Sequence, residues 1–264
     1  VRFVFDRNQL KECDSIPPGI QLYSVRREFN ANPVQTLQAL SDMGYETVEF
    51  AGYGDVPASV MKQYLRDASL QAPASHVQFE HLVEDLQAEI EYAKVVGIAY
   101  IVIPFVEPDI FKEEAAFQQL IFSIKKMAKI VKEAGLQLAY HNHQEEFEPL
   151  PSGELVIDRL IREVGSDLVL EIDLYWTFKA GFEPLDVLTK YKGRTPLVHI
   201  KEAGPTGETT ELDRGVIDYR LTLKQLERFG VYYYFVEQEH FERPPLKSAQ
   251  INSQFVQKWK GRSR

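Results

Sequence analysis

Carboxylates and imidazoles recur in this chain where short apolar runs give way to polar loops. The positions are Gln21 and Tyr23, Glu49, His76, Pro104, the cluster His141-Asn142-His143, Glu171 and Asp173 with Trp176, His199 with Lys201 and Glu202, and Glu237 with Glu239. A carboxylate at a buried strand end is costly unless a metal, another cation or several hydrogen bonds compensate it, so its recurrence points to a shared cation. A salt-bridge layer that merely caps loops is the competing reading for any one residue. Four such residues on the last four runs favour the cation. Two histidines with two carboxylates suit zinc, manganese, cobalt or iron better than calcium, which takes more oxygens.

Residues placed in this way need a scaffold that gathers many strand ends on one face. Eight runs rich in β-branched and aromatic residues supply it, at 19–25, 46–50, 72–77, 99–105, 136–143, 167–176, 196–202 and 231–239. Their hydrophobicity is continuous rather than alternating, which predicts parallel strands covered on both faces by helices. Segments of helical period lie between them, at 33–43, 82–96, 113–134, 154–164 and 221–229, and a glycine suited to a helix C-cap closes each one. Eight alternations over 264 residues predict an α/β fold of the (β/α)8 TIM-barrel type, for which roughly 250 residues is usual. No G-x-G-x-x-G loop follows the first run, against a doubly wound nucleotide-binding sheet. The expected organisation is a single domain over residues 1–264, with 1–15 as an N-terminal extension.

Composition narrows the functional classes. The 44% hydrophobic, 12% aromatic and 26% charged residues are those of a globular protein, and no run is long and apolar enough to predict a membrane span. A net charge of -9 opposes binding to nucleic acid, where Lys and Arg must neutralise phosphates. The one cysteine, Cys13, cannot form an internal disulfide, so a reducing compartment, the cytoplasm, is expected. The chain starts at Val1, which leaves export open.

The same residues sit in strings that resemble the sugar phosphate isomerase/epimerase family, the xylose isomerase-like barrels that include tagatose epimerases, hydroxypyruvate isomerases and inosose dehydratases. These strings are GIQLYSVR (19–26), GYETVEFAGYG (44–54), SHV (75–77), YHNHQEEFE (140–148), EIDLYW (171–176) with AG at 180–181, VHIKE (198–202), RGVIDY (214–219) and FVEQE (235–239). They run in order over nearly the whole chain. The resemblance implies one divalent metal held by His141, Asp173, His199 and Glu237. At the first of these positions the epimerases of the family carry a glutamate that binds metal and moves a proton. His141 therefore departs from a two-glutamate mechanism. His143 is two residues further along and should face the same side, so either imidazole can be the ligand, and alignment with the glutamate favours His141.

The expected reaction is proton transfer beside a carbonyl of a sugar, sugar phosphate or related polyol, giving isomerisation or epimerisation through an enediolate. Glu237 is the expected base, with His141 or His143 as partner, and Lys201 holds a substrate oxygen. Expected substrate contacts are Gln21, Tyr23, Glu49, His76, His143 and Trp176, with Phe50 as a further apolar face. Three rival readings stand beside this one. A lyase, dehydratase or carbon-glycoside cleaving enzyme would use the same metal and base, and a sugar-binding barrel would have no turnover. An endonuclease-IV-like repair enzyme needs more metal ligands and a basic groove. A homo-oligomer formed through outer helices is compatible with the fold, although no residue points to one.

Overall fold

The structure, a computed structural model, describes residues 16–259. Eight parallel strands form a closed barrel: β1 (Pro18–Gln21), β2 (Thr47–Ala51), β3 (Gln71–His76), β4 (Tyr100–Ile103), β5 (Gln137–His141), β6 (Leu168–Asp173), β7 (Leu197–Ile200) and β8 (Tyr233–Val236). Each pairs with its sequence neighbour, and β1 closes on β8. Closure demands a close approach at Gly19, where a Cβ would run into the Tyr234 carbonyl and the Phe235 ring. The expected extension over residues 1–15, with Cys13, lies outside the described residues.

Every apolar run contains one barrel strand, and two runs continue past their strand directly into a helix. After β1 the chain turns into a short 3-10 helix, Leu22–Val25, which carries Tyr23. After β6, Asp173 Oδ1 accepts the backbone N–H groups of Tyr175 and Trp176 and starts the helix Leu174–Lys179. Trp176 is therefore a helical residue. The run stays apolar across this boundary because Leu174 and Tyr175 are buried on the far side as well.

The helices Pro33–Asp42, Phe79–Val96, Glu114–Glu133 and Val156–Val164 match the periodic segments, while 221–229 divides into Tyr219–Leu223 and Leu226–Phe229. Further helices at Ala58–Asp67, Pro184–Lys190 and Pro245–Trp259 help to enclose the barrel. None of the described helices is long and apolar enough to cross a membrane. Phe50, expected as a face toward a sugar, points outward from β2 and is fully buried against Phe29 and Tyr53. Strand alternation explains this, since Glu49 takes the inward position beside it.

The barrel interior changes character along its axis. Ala74, Val102, Ala139, Leu197 and Phe235 form an apolar plug. Two residues further along β3, β5, β7 and β8 come His76, His141, His199 and Glu237, which the period of two keeps on the inner side. Register then sets neighbours side by side: His141 opposite Glu171, and Asp173 opposite His199. After β7, Glu202–Ala203 pairs antiparallel with Thr209–Thr210. Glu202 Oε1 accepts the N–H groups of Ala203 and Ile217, each at 2.9 Å, and ties down both ends of this loop.

Candidate active site

At the C-terminal mouth the barrel strands deliver four buried carboxylates, three imidazoles and one ammonium to a single cluster. Glu171 Oε2 is its hub, with His76 Nε2 at 2.6 Å, His141 Nδ1 at 3.1 Å and His199 Nε2 at 3.2 Å. Glu49 Oε2 meets His199 Nε2 at 2.6 Å and accepts the Gln21 amide at 2.8 Å. Each of two histidines thus turns one nitrogen to a carboxylate beneath it and the other toward the mouth. His199 Nδ1 lies 2.8 Å from Glu237 Oε2 and 4.0 Å from Asp173 Oδ2, and His141 Nε2 lies 3.7 Å from Asp173 Oδ2.

Lys201 bridges the outer carboxylates. Its Nζ is 3.1 Å from Asp173 Oδ2, 3.0 Å from Glu237 Oε2 and 2.7 Å from Glu239 Oε1. Burial disfavours its charge, but Asp173 and Glu237 outweigh that and hold the ammonium well above its usual range. Burial also works against ionised Glu237, and Lys201 with His199 reverses it, keeping that carboxyl well below the usual carboxylate range. His199 is pulled well upward, against burial, by Glu171 and Glu49. His141 is pushed well down by burial and by the His199 charge. His143 is lowered to about 3 by burial and by Lys201.

The cluster fits a divalent cation on its own chemistry. Asp173 Oδ2 is buried and accepts no hydrogen bond, although Lys201 stands within ion-pair distance, and Glu49 Oε1 and Glu171 Oε1 are buried without partners. Asp173, His199 and Glu237 offer ligand atoms close enough together for one ion, and so do His76, His141, Glu171 and His199. Nitrogen and oxygen donors in this mixture suit the borderline metals. The carboxylates behind the imidazoles are what metal-ligating histidines usually have on their other nitrogen.

A cavity of about 840 Å3 lies over the cluster, and Tyr23, His76, His141, His143, Lys201 and Glu237 line it. Gln21 and Glu49 do not reach it. They lie fully buried, because the inward side chains of β1 and β2 end one level deeper: Glu49 meets the His199 imidazole, and Gln21 donates to Glu49 and accepts the Tyr23 backbone N–H. Trp176 stands behind His143, with ring centroids 5.2 Å apart. His143 Nδ1 and Trp176 Nε1 are buried with no partner. His76, expected as a substrate contact, lines the cavity and also sits inside the cluster, its ring stacked over His199 at 5.1 Å. His240 is exposed beside Glu208, away from the hub. Glu171 was named only as a strand-end carboxylate. Its spacing of two from Asp173 was the signal that both share the inner face.

The family model of the xylose isomerase-like TIM barrel matches residues 37–259. No curated protein matches the chain. Among solved structures, a sugar phosphate isomerase/epimerase from Parabacteroides distasonis is 22% identical with a TM-score of 0.77, covering 94% of this chain and 95% of its own. An L-ribulose 3-epimerase is 16% identical with a TM-score of 0.72, covering 92% and 94%. A xylose isomerase-like TIM barrel protein from Mycobacterium smegmatis, solved in complex with magnesium, is 15% identical with a TM-score of 0.68, covering 92% and 96%.

Proposed function

The chain belongs to the xylose isomerase-like TIM barrel family, and we propose that it is a divalent-metal-dependent isomerase or epimerase that moves a proton beside the carbonyl of a sugar or related polyol. The observation that carries this reading is Asp173 Oδ2, a fully buried carboxylate oxygen without a hydrogen bond, with His141, His199 and Glu237 around it and the Lys201 ammonium at 3.1 Å as its ion-pair partner.

His141, Asp173, His199 and Glu237 would hold the ion, with His141 rather than His143 as the strand-five ligand. The support is orientation: His141 has Nδ1 on Glu171 and Nε2 toward Asp173, whereas His143 Nδ1 has no protein partner. Manganese, zinc, cobalt or iron would suit this donor set. The ion would polarise the substrate carbonyl and stabilise the negative charge that develops on it.

The protein's own groups do the rest. Glu237, held ionised by Lys201 and His199, is in the form that accepts a proton. His143, held neutral and lining the cavity, with its buried Nδ1 unpartnered, is the second proton carrier on the substrate's other side. Lys201, which lines the cavity, offers its ammonium to a substrate oxygen, and Trp176 acts through the His143 ring that it stands behind.

The test is incubation of the metal-loaded protein with ketose and aldose panels in deuterated water. Uptake of solvent deuterium at carbon, in a product of unchanged formula, is expected. Loss of water or of an aglycone would replace this reading with the lyase one, and binding without exchange would make the barrel a sugar receptor.

A further inference from the structure

The carboxyl groups of Asp55, Glu89, Glu237 and Glu239 line the cavity over the cluster, and Lys201 is the one lysine or arginine among the described residues that does so. Its ammonium is already matched, at 3.1 Å from Asp173, 3.0 Å from Glu237 and 2.7 Å from Glu239. A divalent ion at the cluster would likewise be matched by the Asp173 and Glu237 carboxylates that hold it. The walls therefore carry negative charge that no cation of the cavity balances.

The imbalance is greatest away from the cluster. Asp55 is exposed on the loop after β2, and Glu89 accepts the Tyr53 hydroxyl at 3.2 Å. The helix Phe79–Val96 starts on the wall at Gln78, but it places Glu80 in its first turn and is interrupted at Asp85, so its N-terminus offers little to an anion. Arg26, Arg27 and Arg243 line a separate cavity of about 350 Å3. Glu239 belongs to the walls of both cavities, and Arg26 is turned to the Tyr23 carbonyl at 2.7 Å, so these cations do not complete an anion site over the cluster.

Resting on the sugar reading above, we propose that the substrate is an uncharged sugar or polyol, and that Asp55, Glu89 and Glu239 exclude phosphorylated sugars from the cavity. A hydroxyl both donates and accepts, so these carboxylates and the amides of Asn30 and Gln78, which also line the cavity, are partners for it. A phosphate ester brings about two negative charges at neutral pH and no proton to donate. It needs arginine, lysine or a helix N-terminus, and like charges brought together oppose its entry.

Fructose, tagatose, xylulose and ribulose, each paired with its terminal phosphate ester, test this with the manganese-loaded full chain in deuterated water. In every pair that exchanges, kcat/KM for carbon-bound deuterium uptake should favour the free sugar by about tenfold or more. The preference should shrink as salt rises from about 20 to about 500 mM, because salt screens charge at an open cavity wall. Gln78→Arg, which adds a cation to the wall, and Asp55→Asn, which removes an anion and tolerates the positive φ there, should each narrow it. Circular dichroism of both variants checks that the barrel is intact. A phosphate ester used as well as its free sugar, or a preference indifferent to salt and to both substitutions, would overturn the charge assignment and leave the sugar reading standing. Exchange with no member of any pair would overturn both.

Discussion

Glu49 Oε2 lies 2.6 Å from His199 Nε2, and this contact fixes which nitrogen of the imidazole faces the mouth. With Nε2 engaged below, Nδ1 is turned to Glu237 at 2.8 Å. Glu49→Gln keeps the volume but loses the charge. A metal-ligating histidine deprived of its carboxylate partner typically loses about 10–100-fold in metal affinity. Calorimetric titration of manganese into the variant should show a loss of that size, with the fold unchanged by circular dichroism. Undiminished affinity would remove Glu49 from the metal's support.

His143 and His141 should separate in experiment, although they lie two residues apart. His143→Gln is expected to leave metal content unchanged, since Nδ1 faces no carboxylate, and to lower carbon-bound deuterium exchange by about 10²–10⁴-fold. His141→Gln should instead lower the metal content. Reversed results would exchange the two roles.

Lys201 is the internal counter-charge of Asp173, Glu237 and Glu239. Lys201→Met leaves buried carboxylates uncompensated, and breaking a buried ion pair from one side costs about 3–5 kcal/mol. The metal-free variant should unfold at clearly lower urea concentration than the parent. Added manganese should recover more stability in the variant than in the parent, because the ion then supplies the missing positive charge. Equal metal-induced shifts would show that ion and ammonium are independent.

Glu202 provides a pH signature outside the carboxylate and imidazole cluster. Burial raises its carboxyl from the usual range to about 7, even though backbone N–H groups of Ile217 and Ala203 favour the ionised form. A folded-state pKa above the unfolded one means that the native state binds the extra proton. The associated stability is present below about pH 4.5 and is lost as the pH rises through about 7. The parent should therefore lose thermal stability relative to Glu202→Gln between about pH 5 and about pH 8. A difference that stays constant across this window would refute the shift.

Fold class and the gathering of strand-end polar residues on the inner face were legible because both follow from periodicity. Continuous apolar runs mark strands buried on two faces, and a spacing of two along them keeps Glu171 with Asp173 and His199 with Lys201 on one side. Depth was not legible. Gln21 and Glu49 are strand-end polar residues like the others, yet barrel stagger sets them a level below the cavity. Nor could a local pattern reveal that His76 and His199, 123 positions apart, stack face to face, since that contact exists only after closure. The boundary at Asp173 was obscured because the residues after it are as apolar as those before it.

That boundary has an evolutionary consequence. Asp173 uses one oxygen to start a helix and keeps the other for the cluster, so its side-chain length is constrained from two directions. Lengthening it by one methylene would pull the helix start, or the oxygen beside Lys201, out of place. Position 141 carries no such double duty: its ring meets only side chains. Change of side-chain type should therefore be permitted at position 141 on strand five and forbidden at position 173 on strand six. Substitution at position 141 is the accessible route by which a barrel of this kind could change its mouth chemistry while keeping the same framework.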